Sequence, residues 1–274
     1  MIPVRTLLTV IVLSVCTLSS RAEAGKGCYS AQGRDSRRIK SYVVSTRAYP
    51  NQEEFIDECM VVVKDEKGKT VFAAHDHGVE ILSISGEDIN GDGLPDVVIE
   101  GYSGGAHCCW TYWIVSLGAR PRLVASIYNE RDVTFRKERS GQVLIETLDG
   151  RFDYFDGSCH ACSTFPRVHM RLKRDQLEEV NSEFWPSYQK DIHIARHELK
   201  TEELTKFRAR NEPDAETDDT RKLVLTIVLA YLYAGRQDQA WQALDEMWPA
   251  KDKERIKRLI IEQRGDGFVG RRDD

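Results

Sequence analysis

The sequence predicts a mixed fold, an N-terminal antiparallel all-β domain followed by a small α-helical domain. Two contrasts predict it. From about residue 40 to 180 the apolar residues fall in short β-branched and aromatic runs separated by Gly, Asp, Asn and Ser, as strands divided by turns do. After about Leu177 they recur at helical spacing, with few β-branched residues among them.

The chain of 274 residues opens with Arg5, an apolar-to-small run over residues 7–18, and Ala22-Glu23-Ala24. That is the make-up of an export signal read by signal peptidase, with the cut expected after Ala24. The run is too short to span a bilayer, which needs ~20 residues in a helix, and no later segment is long and uncharged enough, so no transmembrane segment is expected in the mature chain. A lipoprotein cut before Cys16 would want a small residue where Val15 stands. The predicted organisation is therefore a signal peptide over 1–24, a disulfide-bonded β domain over 25–180 and a helical region over 181–274, in a periplasmic or extracellular protein. Loss of Arg5, Arg21 and Glu23 with the leader leaves 37 basic and 43 acidic side chains. The two signs are interleaved with no basic stripe, which argues against a nucleic-acid binder.

Strands are predicted at 41–45, 60–63, 70–73, 80–85, 97–101, 112–117, 123–128, 143–147 and 168–172. Residues 65–69 form a hairpin turn in which Gly68 supplies a positive φ. A first helical region is predicted over 187–210, then an acidic linker over 211–219 with Thr220 as N-cap. Residues 221–234 are apolar on most faces and predict a central buried helix ended by Gly235. A helix over 237–248 is stopped by Pro249, and another over 251–264 carries Ile256, Leu259 and Ile260 on one face. The spacing Tyr231, Gly235, Ala240 resembles the helix-turn-helix of a tetratricopeptide repeat, over one hairpin only.

The strongest chemical signal is Asp88-Ile89-Asn90-Gly91-Asp92-Gly93-Leu94-Pro95-Asp96. Calcium takes six to eight oxygen ligands, and a loop supplies them when carboxylates recur at alternate positions around a sharp turn. Asp88, Asn90 and Asp92 alternate, Gly93 permits the turn that offers the Leu94 carbonyl, and Asp96 closes the loop. An EF-hand would need a glutamate where Ile99 stands and helices where the flanks read as strands. The motif, followed by a strand, resembles the FG-GAP and VCBS repeat family. Residues 101–109, Gly-Tyr-Ser-Gly-Gly-Ala-His-Cys-Cys, look like a segment of short exported bacterial proteins that carry one such loop. The resemblance implies a bound Ca²⁺, propeller-blade-like sheets and a role in binding other molecules. Only one complete loop is present, since Asp149-Gly150-Arg151-Phe152-Asp153 preserves at most the last half of another, and about 140 residues cannot hold a closed seven-bladed propeller.

Without Cys16 the chain keeps Cys28, Cys59, Cys108, Cys109, Cys159 and Cys162, an even number in an oxidising compartment, which predicts disulfides. The preferred pairing joins Cys28 to Cys59 and ties Cys108-Cys109 to Cys159/Cys162. Reduced, His107-Cys108-Cys109 and Cys159-His160-Ala161-Cys162 would instead offer a zinc set or a redox pair. His75-Asp76-His77 reads as a solvated turn, and His193 and His197 as a solvated helix face. The expected function is that of a non-enzymatic, calcium-binding interaction module with a protein or glycan partner. The alternative is a thiol- or metal-dependent enzyme built on the two Cys/His segments.

Overall fold

The computed structural model describes residues 36–49, 58–105, 109–265, 267 and 268. Twelve strands among them form three four-stranded antiparallel meanders. The first sheet holds β1 (Ser36–Ile39), β2 (Tyr42–Tyr49), β3 (Glu58–Lys64) and β4 (Thr70–Asp76). The second holds β5 (Gly78–Ile81), β6 (Asp96–Tyr102), β7 (Trp110–Ser116) and β8 (Arg122–Asn129). The third holds β9 (Val133–Lys137), β10 (Val143–Leu148), β11 (Arg167–Lys173) and β12 (Gln176–Glu179). Five α-helices follow: α1 (Trp185–Glu198), α2 (Thr201–Arg208), α3 (Asp218–Tyr233), α4 (Gln237–Met247) and α5 (Lys253–Arg264). The mixed fold, antiparallel sheets first and helices after, is the predicted one.

The second sheet is buried on both faces. Val97 and Ile99 of β6 face the first sheet and join a core with Val44, Val61, Val63 and Val115. Val98 between them faces the other way, into a core with Ile114, Ile145, Met170, Val224 and Val228. Successive strand side chains point to opposite faces, so a strand covered on both sides carries the unbroken apolar run Val97-Val98-Ile99. Each such side chain stabilises the fold by about 1.5–3 kcal/mol. The larger core runs without a break from the second sheet through the third into α3 and α4.

The unpredicted strands β1, β9 and β12 read Ser-Arg-Arg-Ile, Val-Thr-Phe-Arg-Lys and Gln-Leu-Glu-Glu, and each lies at a sheet edge. Charged edge strands keep sheets from pairing further, and it is the neighbour's backbone, not apolar alternation, that makes them strands. The segment predicted as a strand over 80–85 is a strand only to Ile81, because Ser85 N–H turns back to the Leu82 carbonyl at 3.0 Å. The helical region expected over 187–210 is two helices, parted at Leu199 and Lys200, both extended. The break lets α2 return so that Phe207, fully buried, meets Trp248 edge-on at 5.2 Å. Thr220 is not an N-cap: it lies buried inside α3, and Asp214 and Thr217 form a capping box one turn earlier. The α3–α4 hairpin forms as expected, with Gly235 at φ 74° and Ala240 fully buried between the helices.

Candidate functional site

The acidic loop joins β5 to β6, and its conformation follows from its short polar side chains. Asp88 accepts the N–H groups of Gly91 and Asp92 on Oδ1 and of Gly93 on Oδ2, at 2.7, 3.1 and 2.8 Å. Such local bonds, with Gly91 and Gly93 at φ 77° and 81°, wind the chain into a tight turn. Ile89 anchors the turn in the larger core. Asp92 Oδ1 accepts from Leu94 N–H at 2.9 Å, and Oδ2 from Asn90 Nδ2 at 3.2 Å and the Ser116 hydroxyl at 3.1 Å.

Asp96, the first residue of β6, is fully buried. Its Oδ2 accepts the N–H groups of Ile89 and Asn90 at 2.6 and 3.2 Å. Its Oδ1 is buried with no hydrogen-bond partner. The Ser116 hydroxyl stands near both Asp92 and Asp96 but has one proton to give, and that proton goes to Asp92. Burial pushes the Asp96 carboxyl up to about 6, against the two N–H donors that pull it down. Burial also acts to raise Asp92, but its hydrogen bonds and the charge of Arg122 outweigh it and hold that carboxyl low.

The structure brings in a residue that sequence reading missed. Asp175, at φ 69° in the β11–β12 turn, accepts from Asn90 Nδ2 at 2.8 Å and pairs with Arg122 at 2.7 Å. The adjacent Arg174 N–H donates to the Asn90 carbonyl at 3.1 Å. Asn90, itself buried, thus fastens the third sheet to the second. No local pattern marks Asp175, which reads as part of a polar turn 85 residues away.

Asp88, Asn90, Asp92, the Leu94 carbonyl and Asp96 therefore share one loop, all oxygen donors of the hard type calcium prefers. A buried carboxylate oxygen without a donor is what a cation would satisfy, so the residues fit Ca²⁺. Among the described residues no three acidic, histidine or cysteine side chains are gathered closely enough to hold an ion as they stand, and the loop carboxylates face their own N–H groups.

The second, partial motif makes different contacts from the first. Asp149, fully buried, caps a 3-10 turn over Gly150–Phe152 and accepts from Arg151 Nε at 2.8 Å and from the Tyr233 hydroxyl. It is a structural ion pair that ties the third sheet to α3.

Cys159 is disulfide-bonded to Cys162, so the expected tie from Cys108-Cys109 to this pair is replaced by a local bond. The two cysteines flank a single 3-10 turn that brings their Cα atoms to 4.9 Å, a spacing that suits a disulfide. Cys59 and Cys109 are also disulfide-bonded. Cys28, His107, Cys108 and the predicted signal peptide lie outside the described residues. His75 is exposed in β4, and His77 stands half-buried in the bend before β5, its ring lying against Gly104, where a Cβ would come within 2.5 Å of it. His193 and His197 are exposed on α1, as expected.

No family model, curated protein or solved structure matches the chain. Among the described residues no helix is long and apolar enough to cross a membrane.

Proposed function

We propose that this is an exported, calcium-stabilised interaction module in which the metal orders the loop rather than doing chemistry. The observation that carries the reading is the buried, donorless Asp96 Oδ1 inside a loop whose other side chains are oxygen donors at alternate positions. Asp88, Asn90, Asp92, Asp96 and the Leu94 carbonyl would hold the ion, and Ca²⁺ would supply charge neutralisation and loop order. Because the same loop fastens the β11–β12 turn through Asn90, ordering it also secures the third sheet, on which the helices pack. The role in binding a protein or glycan rests on the resemblance to FG-GAP and VCBS repeats. A zinc site built on Cys159 and Cys162 is the weaker reading, because as a disulfide the pair offers no thiolate to a metal.

The test is thermal unfolding of the mature protein in calcium and in chelator, beside Asp92→Ala and Asp96→Asn. A ligand at a hundred times its Kd stabilises by about 2.7 kcal/mol, or about 5–10 °C in Tm for a chain of this size. Both variants should lose that increment, and Asp96→Asn keeps an oxygen for the Ile89 and Asn90 N–H groups. Equal melting of the wild-type protein with calcium and with chelator would refute the reading.

A further inference from the structure

The calcium reading makes no use of Cys159-His160-Ala161-Cys162, and the structure around this segment is unlike that of a staple. The disulfide closes a ring of four residues within one 3-10 turn and joins no two elements of the fold. Stabilisation by a cross-link grows with the length of chain it closes, and is small for a ring this short. Other contacts already hold the segment. Arg255 forks onto Asp156, Arg221 Nη2 donates to the Phe155 and Asp156 carbonyls at 2.8 and 3.1 Å, and Lys222 Nζ donates to the Ala161 carbonyl at 2.8 Å. The S–S bond can therefore open without the segment leaving its place.

The two sulfurs are not equivalent. Cys159 is exposed and Cys162 is half-buried. The Cys162 N–H donates to Cys159 Sγ at 3.1 Å, so a thiolate formed on Cys159 meets a hydrogen-bond donor, with the Lys222 ammonium on the carbonyl of Ala161 between the cysteines. The approach is flanked by Tyr154, 56% exposed, whose ring lies 5.9 Å from that of His160. Tyr154 and Asp156 both adopt left-handed backbone, at φ 50° and 53°, though neither is glycine. Strained residues of this kind persist where surrounding contacts impose them and gather at functional sites. Accessible disulfides with a donor for the leaving or attacking sulfur are the exchangeable ones.

We propose that Cys159–Cys162 is a redox-active couple that exchanges with protein dithiols, with Cys159 as the sulfur attacked. A substrate thiolate bonds to Cys159 Sγ as the S–S bond breaks, and Cys162 leaves with the electron pair and takes up a proton. The second substrate thiol, deprotonated, attacks the substrate sulfur of this mixed disulfide and expels Cys159. Two electrons and two protons pass from the substrate dithiol, which becomes a disulfide, to the pair, which becomes a dithiol. A small-molecule disulfide such as oxidised glutathione restores the pair by the reverse exchange.

The test needs no variant at first: the wild-type protein is equilibrated in glutathione buffers of increasing reduced fraction, acid-quenched, alkylated and mapped by mass spectrometry. Cys159 and Cys162 should be alkylated at ratios that leave Cys59 and Cys109 bonded, with the melting transition still present. Cys162→Ser and Cys159→Ser are then exposed to oxidised glutathione. Cys159 in the first should form the mixed disulfide at least about ten-fold faster than Cys162 in the second, as thiolate access dictates. Reduction of the pair only together with Cys59 and Cys109, or only with loss of the melting transition, would make it a structural bond and overturn the proposal. Equal rates in the two variants would overturn the assignment of Cys159 as the attacked sulfur.

Discussion

His169 is a buried imidazole that the fold keeps neutral, and acid should therefore destabilise this protein through it. The residue lies in β11 and is 1% exposed. Its ring stacks on Phe184, with centroids 4.2 Å apart and planes within 4°, and meets Tyr188 edge-on. Nδ1 is 3.1 Å from the Tyr188 hydroxyl and Nε2 is 3.4 Å from Glu146 Oε1. The Tyr188 hydroxyl has one proton, which the Arg167 carbonyl and Asn181 Oδ1 stand ready to accept at 2.9 Å each, so its oxygen is the acceptor that faces Nδ1. Burial pushes the group from 6.5 down to about 4, with Arg167 and Arg136 adding to the fall and Glu146 and Asp191 opposing it. Between those values the unfolded chain binds a proton that the folded chain refuses. The linked stability is whole above pH 6.5 and is lost as pH falls toward 4. At ~1.36 kcal/mol per pH unit the gap amounts to about 3 kcal/mol, of which about 2.5 is lost by pH 4.5. In Tm that is about 5–10 °C. His169→Gln removes the titration, so urea unfolding of both proteins at pH 7 and pH 4.5 isolates it: the wild-type protein should lose about 2.5 kcal/mol more than the variant. Equal losses would refute the reasoning. A ring that titrates above 6.5 by NMR would show that Glu146 outweighs burial, and the pH dependence would then have the opposite sign.

Three further outcomes follow from buried or closely packed groups. Tyr233→Phe takes the hydroxyl from the fully buried Asp149 and should cost about 1.5–3 kcal/mol; a melting temperature within about 1 °C of wild type would mean that Arg151 alone satisfies the carboxylate. Asp175→Ala breaks an exposed ion pair with Arg122 and the bond from Asn90. Trypsin should then cut faster after Lys173 and Arg174, while global stability changes by no more than about 1 kcal/mol, and an unchanged cleavage rate would show that Asp175 does not hold the hairpin. Gly101→Ala places a Cβ 2.7 Å from Asp76 Oδ2 and from the Trp113 ring, so it should destabilise by about 1–3 kcal/mol in chemical denaturation, and a neutral effect would mean that Trp113 has room to move.

By itself the sequence determined what is local. Alternation of β-branched residues placed most strands. Gly68 marked its hairpin turn, and Gly235 and Pro249 marked the ends of α3 and α4, because backbone freedom and a missing N–H act within a few residues. Asp88 to Asp96 could be read as a calcium loop because its donors all lie on one short segment. What only the tertiary structure decided depends on chain segments that meet from afar. The edge strands β1, β9 and β12 exist because a neighbour offers its backbone. Asp175 reaches Asn90 across 85 residues. Cys159 pairs within its own turn because that turn already brings it to Cys162. His169 is neutral because Phe184 and Tyr188 of the helical region close over it, which nothing in the polar pattern of β11 could announce. Burial and electrostatics are properties of the assembled interior, and the linear order of residues carries them only through the packing that the whole chain reaches.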